Sequence, residues 1–190
     1  MLSDTGHEGH YTNTPYGSRY SLTYGVGVQT QLITEKSFII GAQVTAEQLR
    51  SNVEILSVFR AEPSSVNAYS GEGKTVLKAN FLNLQPYMGK RLRANNLYLD
   101  LTLGTDIGFN QKLQEKGEVT LYDGSKYETN RERSKPGIDL RPRLGMTAWG
   151  KHVGLSLSYA HGLTNYQANM DGGNSKVYIR AMRLGLLYRL

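Results

Sequence analysis

An all-β fold, an up-and-down antiparallel barrel crossing a membrane, is what this sequence predicts, and three observations predict it. Seven stretches alternate apolar with small or polar residues over roughly ten positions each, the length a tilted transmembrane strand needs. A strand has period two, so one parity covers one face of a sheet and the other covers its back. The polar parity holds Gly, Ser, Thr and charges of both signs, as a narrow lumen requires. Connections between the stretches run short, long, short, long, short, medium, the rhythm of short periplasmic turns and long outer loops.

The first stretch, 19–33, sets Tyr20, Leu22, Tyr24, Val26 and Val28 against Ser21, Thr23, Gly25, Gly27 and Gln29. Thr34, Glu35 and Lys36 make a tight turn. The second, 37–48, opposes Phe38, Ile40, Ala42, Val44 and Ala46 to Gly41, Gln43, Thr45 and Glu47. Residues 50–75, with Pro63, Ser64, Ser65, Gly71 and Gly73, read as a long outer loop in which Val53, Ile55 and Phe59 hint at a strand extension. The third, 77–89, opposes Leu82, Leu84, Pro86 and Met88 to Asn83, Gln85 and Tyr87. A basic turn (Lys90, Arg91, Arg93, Asn95, Asn96) leads to the fourth, 97–109, with leucines at 97, 99, 101 and 103, then Ile107 and Phe109, facing one way.

Residues 110–136 are polar and read as a second outer loop. The fifth stretch, 138–149, alternates Ile138, Leu140, Leu144, Met146 and Ala148 with Asp139, Arg141, Arg143, Gly145 and Thr147. Pro142 sits on its apolar parity and removes a ladder donor, so a bulge or a missing hydrogen bond is expected there. A turn at Gly150 and Lys151 precedes the sixth, where Val153, Leu155, Leu157 and Tyr159 oppose Gly154, Ser156, Ser158 and Ala160. After a loop from Asn165 to Ser175 comes the seventh, 177–190, with Tyr178, Met182, Leu184, Leu186, Tyr188 and Leu190 outward. Bacterial barrels have even strand numbers, so eight strands are expected. The simplest expectation puts the eighth upstream of Met1 and makes 1–18 an outer loop or disordered; the alternatives are that 1–18 pair in a way their pattern does not reveal, or that the barrel is incomplete.

Length and composition fit one domain over 1–190. There is no Cys, which removes disulfides and thiolate metal sites. Mean hydropathy is −0.44 and no run approaches 18 apolar residues, which excludes a spanning helix but not a barrel. Net charge +6 is spread over the chain without a Lys/Arg-rich run, so nucleic acid is not an expected partner. Met1 is followed by a polar stretch with no apolar core, so a mature or truncated start is expected.

Several short patterns suggest chemistry and are better explained without it. Ala68–Thr75 (AYSGEGKT) approaches a phosphate-binding loop, but that chemistry needs a helix after the loop, and the residues through Pro86 read as strand. His7 and His10 with Asp4 and Glu8 have the donors for a divalent metal, yet a polar loop needs no such explanation. His161 near Ser156 and Ser158 evokes a lipid-deacylating pair, but His161 has the outward parity and both serines the inward one. No cofactor, metal or catalytic residue is therefore expected. Asp100, Asp106, Asp139, Arg141 and Arg143 do share the inward parity on two adjacent strands. Charges in a lumen too narrow for bulk water must pair, so a plugging salt-bridge network is expected there rather than an ion path. Leu99, Leu101, Leu103, Leu140, Leu144, Leu155, Leu157, Leu184 and Leu186 are expected to form a lipid-facing band, with Tyr24, Tyr159, Tyr178 and Tyr188 toward its edges.

Three segments resemble the PorT-like outer-membrane β-barrel family. Asn80-Phe81-Leu82-Asn83-Leu84-Gln85-Pro86 is similar to its "nYLeiP" strand, with Asn83 at the acidic position and Pro86 one place late. Tyr159-Ala160-His161-Gly162-Leu163-Thr164-Asn165 is similar to its "Y-x-x-G-L-T-N" strand end, and Leu184–Leu190 (LGLLYRL) to its terminal "lglgYrF", with Leu in place of the final aromatic. The resemblance covers about 19–190 and implies an eight-stranded barrel in a bacterial outer membrane, usually of unassigned function. The function expected is structural, adhesive or accessory, with lipid around the wall and protein or glycan partners at loops 50–75 and 110–136. The rival is a soluble lipocalin- or avidin-like carrier whose apolar parity lines a ligand cavity. The discriminator is which parity faces inward.

Overall fold

The computed structural model describes residues 10–11, 22–62, 65–95, 97–133, 137–166 and 178–189. Nine strands follow in chain order: β1 (His10–Tyr11), β2 (Tyr24–Ile33), β3 (Phe38–Glu62), β4 (Ser65–Ala94), β5 (Leu97–Leu121), β6 (Lys126–Glu132), β7 (Ile138–Trp149), β8 (Val153–His161) and β9 (Arg180–Tyr188). All pairings are antiparallel, in the order β2-β3-β4-β5-β7-β8-β9, with β1 on the far end of β3 and β6 on the far end of β5.

The wall formed by β2, β3, β4, β5, β7, β8 and β9 follows the alternation seen in the sequence. Its short turns lie at one end, which we call basal. In the first, Ser37 takes φ 63°, and the Phe38 N–H donates to the Thr34 hydroxyl at 3.1 Å. In the second, Asn95 takes φ 52°, a left-handed conformation Asn tolerates better than most side chains. That turn is shorter than expected, because Lys90, Arg91 and Arg93 belong to β4.

The described residues of 50–75 are strand, not loop. β3 and β4 pair without interruption of strand from Phe38↔Lys90 to Glu62↔Ser65, with one bulge between Ile55 and Ser57. Gly71 and Gly73, which suggest a loop in the sequence, are packing positions. A Cβ on Gly73 would lie 2.3 Å from the Glu118 carbonyl oxygen, and one on Gly71 2.6 Å from that of Thr120. Most of 110–136 is strand too. Register shifts where Asn80 pairs with Lys112 and Phe81 with Asn110, so Gln111 is an extra residue in the β5 ladder. Such a bulge reverses parity. Asp106, Gly108 and Asn110 are buried before it, and Leu113, Glu115, Val119 and Leu121 after it. The far halves of β3, β4 and β5, with β1 and β6, thus form an apical sheet beyond the wall. Trypsin should spare Lys74, Lys78, Lys112 and Lys116 under conditions that cut unstructured chain, and early cleavage there would contradict the paired apical strands.

Pro142 keeps its place opposite Thr105 in the β5–β7 register, while the β7–β8 ladder stops at Arg143. The sheet is strongly curled. Neighbouring strands are about 4.8 Å apart, so a flat sheet would put β3 and β9 about 24 Å apart. Instead Arg183 of β9 reaches Glu47 of β3 at 2.9 Å. Among the described residues β2 and β9 do not pair, so the sheet is curled but not closed. Phe81, Leu77, Ala79, Leu113 and Tyr166 pack together inside its apical half, and Ile55, Val119 and Leu121 further out.

Candidate functional site: the charged interior

Among the described residues every buried charged side chain meets an opposite charge, in three clusters stacked along the strands. Register sets the level of each β5 and β7 charge along the strands. Asp106 opposes Arg141 across β5 and β7, and Gly108 opposes Asp139. Glycine floors leave the needed room: a Cβ on Gly108 would lie 3.1 Å from Arg141 Nη2, and one on Gly41 2.5 Å from the Tyr87 ring.

The middle cluster joins Arg141, Arg143 and Arg183 with Glu47, Asp106 and Asp139, a balance of charges. Arg141 Nε donates to Asp139 Oδ2 at 2.8 Å and its Nη1 to Glu47 Oε1 at 2.9 Å. Its guanidinium lies 4.4 Å from the Phe81 ring centroid, a cation–π contact with the ring beneath it. Arg183 chelates Glu47 through Nε and Nη2, both at 2.9 Å, and its Nη1 lies 2.8 Å from Asp106 Oδ2. Arg143 Nε is 3.3 Å from Asp106 Oδ1, and its Nη1 donates to Gln43 and Gln85 at 3.2 and 3.1 Å. Asp106, Asp139 and Arg141 are fully buried.

The basal cluster centres on Asp100. Arg91 donates to its two oxygens at 2.6 and 2.7 Å, and the Trp149 indole N–H to Oδ2 at 2.9 Å. The apical cluster is Glu115 with Arg133, whose Nε donates at 2.6 Å, and with Arg131 at 3.6 Å. Tyr166 covers the middle cluster from the apical side: its hydroxyl donates to Asp139 Oδ2 at 2.8 Å while its ring packs among Leu77, Ala79, Phe81 and Leu113. A polar cavity of about 660 Å³, lined in part by Gln43, Tyr87, Asp100, Arg143 and Arg183, opens between β2 and β9.

All five expected interior residues (Asp100, Asp106, Asp139, Arg141, Arg143) face inward, but they do not form one network. Asp100 belongs with Arg91 and Trp149. Glu47 and Arg183 complete the middle cluster, and both carry the polar parity, so extending that rule to every strand would have found them. Arg91 was hidden in an apparent turn. Tyr166 lies outside any alternating stretch and has no sequence signal. Trp149 is the single tryptophan and only 2% exposed. Acrylamide should therefore quench its fluorescence poorly in the folded protein, and Asp100→Leu, which leaves Arg91 without its carboxylate, should raise quenching and lower stability. Unaltered quenching and stability in Asp100→Leu would argue against the basal cluster.

Outside, Leu101, Leu103, Leu140, Leu144, Leu155, Leu157, Leu184 and Leu186 are exposed and Leu99 is half-exposed; Tyr24, Tyr159, Tyr178 and Tyr188 are also exposed. His161 faces Tyr159, with ring nitrogen and hydroxyl 3.2 Å apart, and stacks near Tyr178. Ser156 instead donates to the Gly185 carbonyl inside. The phosphate-loop-like run is part of β4, with strand on both sides and no helix after it. His7, Asp4 and Glu8 lie outside the described residues, and His10 is described only through its pairing with Arg60. Among the described residues no three His, Asp or Glu side chains converge as metal ligands. In the exposed apical turn, the Ser125 N–H donates to Asp123 at 2.8 Å and holds that carboxyl below the usual range.

No family model matches the chain, and no curated protein and no solved structure matches it.

Proposed function

We propose that this chain is the wall of a small bacterial outer-membrane β-barrel with a plugged polar lumen, serving a structural, adhesive or accessory role at its apical end. The observation that carries this reading is the division of side chains between the two faces. Paired charges fill the interior, while the opposite face of every wall strand is a band of exposed Leu, Val, Ile, Met and Tyr. An apolar exterior of that extent is a liability in water and a requirement in lipid. A lipocalin-like carrier needs the reverse, an apolar interior. The stacked clusters suit support rather than conduction, since the middle one ties β3 and β5 to β7 and β9 across the interior.

Strand direction supports closure in the same scheme. Seven antiparallel wall strands leave β2 and β9 running the same way, so they cannot pair antiparallel with each other. One further strand, opposed to both, would complete an eight-stranded barrel, and kinship with the PorT-like family belongs to the same proposal. The outward residues flanking the gap are the most exposed of the band: Val26 is 76% exposed and Leu184 75%, against 39% for Leu157 in β8. The expected recognition loops become, on this reading, a rigid apical sheet. Cell fractionation with detergent extraction, together with heat-modifiable gel mobility, tests the proposal. Recovery in the outer-membrane fraction with a heat-dependent shift is expected. Recovery as a monomer in plain buffer would overturn it.

A further inference from the structure

Just beyond the apolar band the outer face of the wall becomes basic, and its cations are placed against one another. The last apolar row across β3, β4 and β5 is Ala46, Leu82 and Phe109. The next row is Gln48, Asn80 and Lys112. Beyond it, Arg50 pairs directly with Lys78, and Lys116 pairs with Val76 one row further. Lys78 is thus the cross-strand neighbour of Arg50 and diagonal to both Lys112 and Lys116. Like charges set opposite each other on a sheet face are destabilising unless something neutralises them. The same row ends in Glu132, opposite Gln114 on β6, and Glu118 pairs with Lys74 two rows further on. Among the described residues none of the four forms an ion pair, and Arg50 has only Gln48 at 3.0 Å and the Tyr24 ring at 5.4 Å.

Depth identifies the missing counter-charge. Lys112 and Lys78 lie about two and four residues past the apolar edge, or about 7–13 Å along the strand. At a strand tilt near 45° that is about 5–9 Å along the membrane normal, while the headgroup layer on each side is about 5–8 Å thick. The cluster also shares its face with the leucine band, so any molecule whose tail covers Leu82 and Phe109 has its head beside Lys78 and Lys112.

We infer that Arg50, Lys78 and Lys112 form a docking surface for the phosphate groups of lipids in the outer leaflet. This inference rests on the membrane reading above. The cations grip the phosphates, the flanking Leu82 and Phe109 meet the acyl chains, and Tyr24 braces Arg50 at the interface. A bound phosphate removes the repulsion between Arg50 and Lys78, so lipid and apical sheet stabilise each other.

The test uses the full chain folded in detergent micelles and follows binding of diphosphoryl lipid A by native mass spectrometry. Lipid A stripped of both phosphates and inorganic phosphate are run in parallel. Each cation near an anionic headgroup contributes about fivefold in affinity, so Lys78→Gln/Lys112→Gln should weaken binding on the order of 25-fold. Lys36→Gln/Lys90→Gln/Lys151→Gln, at the basal rim, should change it by less than about twofold. Dephosphorylated lipid binding as tightly as the diphosphoryl form, or basal and apical variants losing equally, overturns the inference. Inorganic phosphate binding as tightly as lipid overturns the headgroup assignment. Heat-modifiable mobility of the same samples separates the two levels: a retained shift with no phosphate selectivity sinks only the inference, and a chain monomeric without detergent sinks both.

Discussion

Arg141→Ala is expected to destabilise the folded protein by about 3–5 kcal/mol, the cost of leaving a buried charge without its partner. Arg141 is fully buried and binds two carboxylates, Asp139 at 2.8 Å and Glu47 at 2.9 Å. Glu47 keeps Arg183 when Arg141 is removed, but Asp139 keeps only the Tyr166 hydroxyl among its short contacts. The truncation also removes the guanidinium from the Phe81 ring and opens a cavity. Arg143→Ala should cost less, because Asp106 retains Arg183 at 2.8 Å and two of Arg143's partners are neutral glutamines. Adding Asp139→Ala to Arg141→Ala should recover part of the loss, since the orphaned carboxylate goes with it. Urea unfolding of the detergent- or bilayer-folded protein, followed through Trp149, measures the wild type and all three variants. Equal stability of wild type and Arg141→Ala would mean that water, not protein, neutralises these charges.

Leu103→Lys addresses the other face. Leu103 is 56% exposed in a row with Met88, Leu144, Tyr159 and Met182, near the middle of the apolar band. A lysine at the midplane of a bilayer costs about 2–4 kcal/mol, because the ammonium has no water there and must snorkel or thin the bilayer. In water the same change on an exposed strand face costs little and improves solubility. Comparing unfolding in bilayers of two thicknesses strengthens the test, as the penalty should grow with distance from the interface. A lysine tolerated without loss in a thick bilayer would place this face in water and remove the main support for the membrane reading.

Both expectations rest on parity, which was legible residue by residue. β7 runs from Ile138 to Trp149 with Asp139, Arg141 and Arg143 buried and Leu140, Leu144 and Met146 exposed, as its alternation predicts. Parity is legible because a strand's side-chain period is two whatever it packs against. The apical sheet was not legible, for two reasons. Gln111 breaks the period by inserting one residue, so the second half of β5 carries its apolar residues on the opposite parity and looks patternless in one dimension. Gly71 and Gly73 carry the composition of a turn, while their absent side chains answer to Thr120 and Glu118 on the neighbouring strand.

The interior network divides the same way. That Asp106, Asp139, Arg141 and Arg143 would lie inside was written in their spacing, because register on one sheet is a local property. Which acid meets which base was decided by the curl, since Glu47 and Arg183 come from strands 136 residues apart in the chain. The sequence alone therefore determined the strands of the wall, the face each of their residues takes and the presence of both charge signs inside. Only the tertiary structure decided the partition into three clusters, the Tyr166 cover and the apical extension. The reason is physical: facing follows from a repeat of two residues, whereas pairing across a curled sheet depends on how far the sheet has turned, and no short window of residues records that.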